Sequence, residues 1–193
     1  MSKTIGKALA VFCFFTVVCG LVYTLVVTGI GQLVFPFQAN GSVYKTDKGQ
    51  YSLRIGQSYS DDGHLWGRQM SYTTVEVDGK TLAYGGPSNT SPASEDYAKS
   101  VDELTKSLKE SNPDAEGPVP VDLVTGSGSG LDPDISVDAA MWQVPRIAKA
   151  TGKSEDEVKS IIDKYTSHKF LGVFGEDTVN VLQVNLALDG QLK

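Results

Sequence analysis

From Ala8 to Phe35 the chain reads ALAVFCFFTVVCGLVYTLVVTGIGQLVF, with no charged residue. The hydrocarbon core of a bilayer is roughly 30 Å thick and takes about 20 apolar residues as a helix, so this run is long enough to cross with some tilt. Nothing else in the chain is. Lys3 and Lys7 precede the run and no basic residue follows until Lys45. Basic flanks stay in the cytoplasm, which predicts an inward N-terminus and an outward C-terminal part. A cleaved signal peptide would have a shorter apolar region ending at a small-x-small site. Val27-Thr28-Gly29 lies among further apolar residues, and Thr16-Val17-Val18-Cys19 lacks the small residue expected before a lipoprotein cysteine. A retained anchor is therefore the expectation.

Within the run, Thr16, Gly20, Thr24 and Thr28 recur every four residues, with Gly31 close to the same side. Small residues at that spacing admit a second helix at close range, and threonine hydroxyls can bond across the contact. Gly and Thr are also common in membrane helices that pack against nothing. Cys13 and Cys19, both in the run, are six residues apart and face different directions, so they cannot pair with each other.

The net charge is −6; the two lysines ahead of Gln38 contribute +2, so the remainder carries −8. Such acidity argues against nucleic acid or an anionic surface as a partner. The sequence predicts residues 1–37 as cytoplasmic N-terminus and transmembrane anchor, and residues 38–193 as one mixed α/β extracytoplasmic domain. Without cysteine, that domain has no disulfide or thiolate ligand set and must rely on its core.

Phe35-Pro36-Phe37 marks the bilayer exit and Asn40-Gly41-Ser42 a turn. Tyr51 to Ile55 reads as a short strand, and Asp78-Gly79 between Val75–Val77 and Thr81–Ala83 as a hairpin. Ser91 followed by Pro92 resembles a helix start, Tyr97, Val101, Leu104 and Leu108 form an apolar face, and Asn112-Pro113 is a stop. Val121 to Val124 reads as a buried strand. Ser136 can cap a helix to about Ala150, bent at Pro145 and ended by Gly152. Ser154 to Glu157 is a capping box for a helix through about Tyr165. Val179 to Leu188 reads as a last strand, with Leu182, Val184, Leu186 and Leu188 opposite Gln183, Asn185 and Ala187.

Candidate chemistry is sparse. His64 and His168 lack a second ligand at metal spacing, and Asp132 with Asp134 would make an incomplete cation site, so no metal is expected. Gly152-Lys153-Ser154 imitates the end of a phosphate-binding loop, but Ile147 stands where that motif needs glycine. The sharpest local feature is Thr125 to Pro133, TGSGSGLDP. Its glycines could turn backbone N–H groups inward into an anion nest, or could simply serve a tight loop needing positive φ angles. No catalytic residue is assigned, which favours an accessory subunit over an enzyme.

A family resemblance runs in order along nearly the whole chain. It is carried by Val22-Tyr23-Thr24-Leu25, Val27 to Ile30, Phe35-Pro36, Gln38 to Ser42, Trp66-Gly67-Arg68, and Gly85-Gly86 to Asn89. Val119 to Thr125 leading to Gly130-Leu131-Asp132-Pro133 is the nearest match, continued by Ala139-Ala140, Gln143 to Ala148, Val179 to Leu182 and Asn185 to Asp189. These resemble the C subunit of the Kdp-type potassium-transporting ATPase. The resemblance implies a non-catalytic subunit in the cell membrane of a bacterium or archaeon. Its partners would be a channel-like K+-translocating subunit, a P-type ATPase subunit and a small membrane peptide, with ATP and K+ belonging to the complex rather than bound here.

The chain lacks the ATPase's Asp-Lys-Thr-Gly-Thr motif, of which Asp47-Lys48-Gly49 is a superficial echo. The family is also described as a catalytic chaperone that raises the ATPase subunit's affinity for ATP. ATP is bound in the cytoplasm, whereas the flanks place the Gly/Ser loop outside. Direct contact, if it occurs, would fall on Ser127, Gly128, Ser129, Gly130 and Gln143. Departures from the family pattern are Thr24 in place of proline, Phe37 and Asp134 in place of histidine, and Gln69-Met70 in place of Pro-Ser. The alternative to a pump subunit is a free-standing anchored extracytoplasmic protein that binds a small anion at this loop.

Overall fold

The computed structural model describes residues 2–47 and 49–192. Lys48, in the Asp47-Lys48-Gly49 echo, lies outside them. Two compact units divide between Ser52 and Leu53.

The first unit holds the apolar helix, a short helical turn and a small hairpin. Lys3–Val34 is continuously helical and apolar enough to cross a membrane. It comprises α1 (Ser2–Phe15), a π-helical segment (Thr16–Tyr23) and α2 (Thr24–Val34). The helix is irregular just ahead of Thr24, where the family pattern has proline. Thr24 Oγ1 donates to the carbonyl of Cys19, five residues back (3.3 Å), and Thr16 Oγ1 donates to Phe12 (2.8 Å). Both hydroxyl protons thus return to their own helix. A step of four residues overshoots one 3.6-residue α turn and undershoots the wider π turn. The drift therefore partly cancels from Thr16 through Gly20 and Thr24 to Thr28, which keeps the four on one side. Cys13 and Cys19 are free thiols.

Next come α3 (Pro36–Ala39) and the hairpin of β1 (Val43–Thr46) with β2 (Gly49–Ser52). Gly41 and Ser42 take positive φ in the expected turn. Strand β2 stops at Ser52, whose hydroxyl donates to Gly41 (2.7 Å), so the predicted strand to Ile55 ends early.

The second unit begins with a long irregular segment that includes turns, then β3 (Tyr72–Val77) and β4 (Lys80–Gly85). Asp78 and Gly79 both have positive φ and make the turn of the predicted hairpin, which is two residues long because Lys80 already pairs with Val77. Helix α4 (Glu95–Ser111) starts at Ser94, which accepts from the Tyr97 N–H, rather than at Ser91. Ser91 instead makes the preceding turn, its carbonyl accepting from the Ser94 N–H (3.0 Å).

Val121–Val124 is a short helix, α5, and not a strand. A four-residue apolar run has no periodicity to separate the two; here Pro120 starts a turn that Thr125 closes by donating to Val121 (2.8 Å). Strand β5 (Asp134–Ser136) leads to α6 (Val137–Trp142), capped by Ser136 as expected. The helix predicted through Ala150 divides at Gln143, because Pro145 has no N–H to continue it. It resumes as α7 (Val144–Thr151), ended by Gly152 in the left-handed region. Helix α8 (Glu155–Lys164) carries the capping box of Ser154 and Glu157.

The sheet is completed by β6 (Thr166–Ser167) and β7 (Thr178–Asn180), in the antiparallel order β5-β7-β6. The chain then closes with α9 (Val181–Leu188), where the sequence predicts a strand. Asn180 caps it by accepting from the Gln183 N–H (3.1 Å). Apolar residues on nearly every side suit a buried helix as well as a strand, and α9 buries Val181, Leu182, Val184, Leu186 and Leu188. Leu65, Leu123, Ile135, Ile147, Val158, Ile162 and Val179 complete the centre of the core. The unit is a mixed helix and sheet domain.

Candidate functional site

The Gly/Ser loop links α5 to β5, and its polar groups turn onto one another. Ser127 Oγ and Ser129 Oγ lie 3.1 Å apart; the first accepts from the Gly130 N–H (3.1 Å), the second from the Leu131 N–H (3.2 Å). Those two amides are thereby committed within the loop. Of its glycines 126, 128 and 130, only Gly130 has positive φ. A Cβ on Gly130 would stand 2.1 Å from the Ser71 carbonyl oxygen and 2.3 Å from that of Gly86. The Gly130 carbonyl accepts from Ser71 (2.9 Å), and Gln69 bridges to Gly126. The glycine pattern therefore serves close backbone approach, clasping the base of the β3–β4 hairpin. Gly128 has open space around it. Arg68 holds the loop from below, donating to Gly126 (2.9 Å), with Asp132 at 3.5 Å. It also lines a groove of about 360 Å³ with Tyr59, Trp66, Met70 and Leu104.

Gln143 sits elsewhere in the design. It is fully buried at the break between α6 and α7. Its Oε1 accepts from the Trp66 N–H (2.8 Å) and from Arg146 (2.8 Å), and its Nε2 donates to the carbonyls of Trp66 (3.0 Å) and Ala139 (3.0 Å). Asn185 of α9 does the same for the preceding residue: Oδ1 accepts from the Leu65 N–H (2.7 Å) and Nδ2 donates to its carbonyl (2.9 Å). Two side-chain amides thus replace the neighbouring strands that the extended Leu65-Trp66 segment lacks.

Arg146 completes the clamp. Its five N–H groups reach Asn112 Oδ1, the Asp61, Asp62 and His64 carbonyls, and Gln143, and its guanidinium lies 3.8 Å from the Trp66 ring centre. Burial pulls its pKa down to about 10, against the favourable pull of Asp62 and Asp61. It stays charged at neutral pH. Asn185 and the structural role of Arg146 were missed by sequence reasoning. Their available signal was a polar residue isolated in an apolar run.

His64 is held at both nitrogens, by Asp61 (2.8 Å) and Asp189 (3.0 Å). Burial alone would raise the Asp61 pKa, but the hydrogen bond and charge of His64 bring it below the ordinary value. His168 is exposed, 3.5 Å from Asp177. Asp134 is pushed up by burial and by Asp132, opposed by the hydrogen bond from Asn180 (2.8 Å). Among the described residues, no three His, Cys, Asp or Glu side chains gather as a metal site.

Known proteins share this sequence along almost its full length. Residues 5–190 match the family profile described as KdpC, K+-transporting ATPase, c chain. The potassium-transporting ATPase KdpC subunit of Clostridium botulinum (strain Alaska E43 / Type E3) is 54% identical over 192 residues, covering 97% of this chain and 96% of that one. Its counterpart in Clostridium perfringens is 50% identical over 196 residues, covering 99% of both chains. That of Janthinobacterium sp. (strain Marseille) is 43% identical over 190 residues, 98% of this chain and 99% of the other.

Proposed function

The chain belongs to the KdpC family, and on that premise we propose that it is a non-catalytic subunit that assembles and stabilises an ATP-driven potassium importer. The family match from residue 5 to 190, anchor included, carries this reading. Its partners are a channel-like K+-translocating subunit, a P-type ATPase subunit and a small membrane peptide. The N-terminus is cytoplasmic and the domain after the helix faces outward, as Lys3 and Lys7 imply. The side carrying Thr16, Gly20, Thr24 and Thr28 meets a partner helix.

Any rise in ATP affinity then reaches the ATPase subunit through subunit contacts and not through a nucleotide on this domain. Two observations support that. Gln143 is committed to Trp66, Arg146 and Ala139, and the Gly130 and Leu131 amides are committed to the loop's own hydroxyls.

The test is a pull-down in mild detergent, using the chain with and without Lys3–Val34 as bait. A channel-like membrane protein and a P-type ATPase should copurify with the full chain and be lost with the helix. A full chain that comes down alone would overturn the assignment.

A further inference from the structure

Between β6 and β7 the chain makes a small apolar head, Phe170-Leu171-Gly172-Val173-Phe174. Phe170, Leu171, Val173 and Phe174 are 65–76% exposed. The head is a hydrogen-bonded turn. Phe170 and Phe174 exchange backbone hydrogen bonds (2.8 and 3.0 Å), Gly172 donates to Lys169 (3.1 Å) and Val173 to Phe170 (3.3 Å). Leu171 and Gly172 take the positive φ that such a turn needs. Directly below lies a charged collar. Lys169 pairs with Glu176 (2.8 Å), the Lys169 N–H donates to Asp177 (2.8 Å), and His168 stands beside Asp177 (3.5 Å).

We propose that this head dips into the lipid surface of the membrane that anchors the chain, as a second, reversible contact. Four features favour lipid over a protein groove. The tip is uncharged, and four of its five amides are hydrogen-bonded within the turn, which an environment without water requires. All four side chains are 65–76% exposed within one short turn, whereas the apolar residues of the β3–β4 ribbon are 41–58% exposed. Four side chains of this kind offer roughly 500 Å², short of the ~800 Å² per partner of a stable protein interface. Finally, the anchor helix keeps a bilayer at high effective concentration, so a weak insertion suffices. The collar then sits at headgroup level, with its charges paired. The inference requires only that the helix be in a bilayer, and it holds whether or not the assembly reading does.

The experiment uses the full chain in phosphatidylcholine vesicles, with tryptophan introduced by Val173→Trp or, separately, Phe170→Trp. Emission of the added indole, taken as the difference from the parent chain, is compared in ordinary lipid and in lipid brominated on the upper acyl chain. We expect blue-shifted emission and at least a twofold loss in brominated lipid for both variants, with no loss for Val121→Trp at another exposed site. Water-like, unquenched emission from both tip variants would overturn the proposal. So would emission that becomes shielded only when partner proteins copurify and that brominated lipid leaves untouched, which would give the head to a protein. Equal quenching at Val121→Trp would also contradict insertion by this head.

Discussion

The clamp around Leu65-Trp66 and the Gly/Ser loop are both polar regions in a domain otherwise held by apolar packing, yet they are built in opposite ways. In the clamp, long side chains from α7, α9 and the α6–α7 break reach inward and satisfy a backbone with no strand beside it. In the loop, short hydroxyls satisfy the backbone that carries them, and what matters is the absence of a side chain at Gly130. The first is sensitive to lost atoms, the second to added ones.

Removing Arg146 should have the largest effect. Arg146→Met removes the buried guanidinium and its donors to Asn112 Oδ1 and to the Asp62 and His64 carbonyls, and should lower stability by about 3–5 kcal/mol, as breaking a buried charged network does; denaturant unfolding of the full chain in detergent would measure it. Gln143→Leu strips partners from both backbone groups of Trp66 and should cost about 2–4 kcal/mol by the same measurement. In the loop, Gly130→Ala meets two carbonyl oxygens and a strained φ, and should cost at least about 2 kcal/mol. Gly128→Ala, two residues away in open space, should stay within about 0.5 kcal/mol. Equal effects at the two glycines would dissolve the contrast.

The smallest effect concerns Asp134. Its folded pKa is raised above the ordinary 3.8, so the folded state holds that proton more tightly than the unfolded one. Its contribution is present below 3.8 and declines as pH rises from there through the folded value. Asp134→Asn should therefore be neutral to slightly stabilising at pH 7, with the advantage disappearing on acidification. Asp61 runs the other way. Its lowered pKa adds stability above the ordinary 3.8, which is lost as pH falls through the folded value. Unfolding curves of Asp134→Asn and Asp61→Asn across the acid range would separate the signs.

Local chemistry made much of the fold legible. The long apolar helix, the Asp78-Gly79 hairpin, the Ser136 cap, the Gly152 stop and the Ser154 capping box each follow from local sequence. The strand assignments failed at Val121–Val124 and at Val181–Leu188, the part of the last predicted strand beyond β7; both are apolar runs whose conformation is decided by what surrounds them. Asn185 illustrates why: in a strand it would be a polar face, in α9 it is the inward group that Leu65, 120 residues earlier, binds. For the candidate site, Ser127, Ser129 and Gly130 do form one structure, while Gln143 belongs to another. A glycine pattern specifies close approach without saying whether an anion or the chain's own carbonyl approaches.

The most direct test is the ATP dependence of K+-stimulated hydrolysis by the assembled complex carrying Ser127→Ala and Ser129→Ala together. An unchanged KM for ATP in an intact complex is the result the proposed function predicts, because the loop's hydroxyls are committed to its own backbone. A several-fold rise in KM with assembly intact would put the loop on the nucleotide and contradict the account.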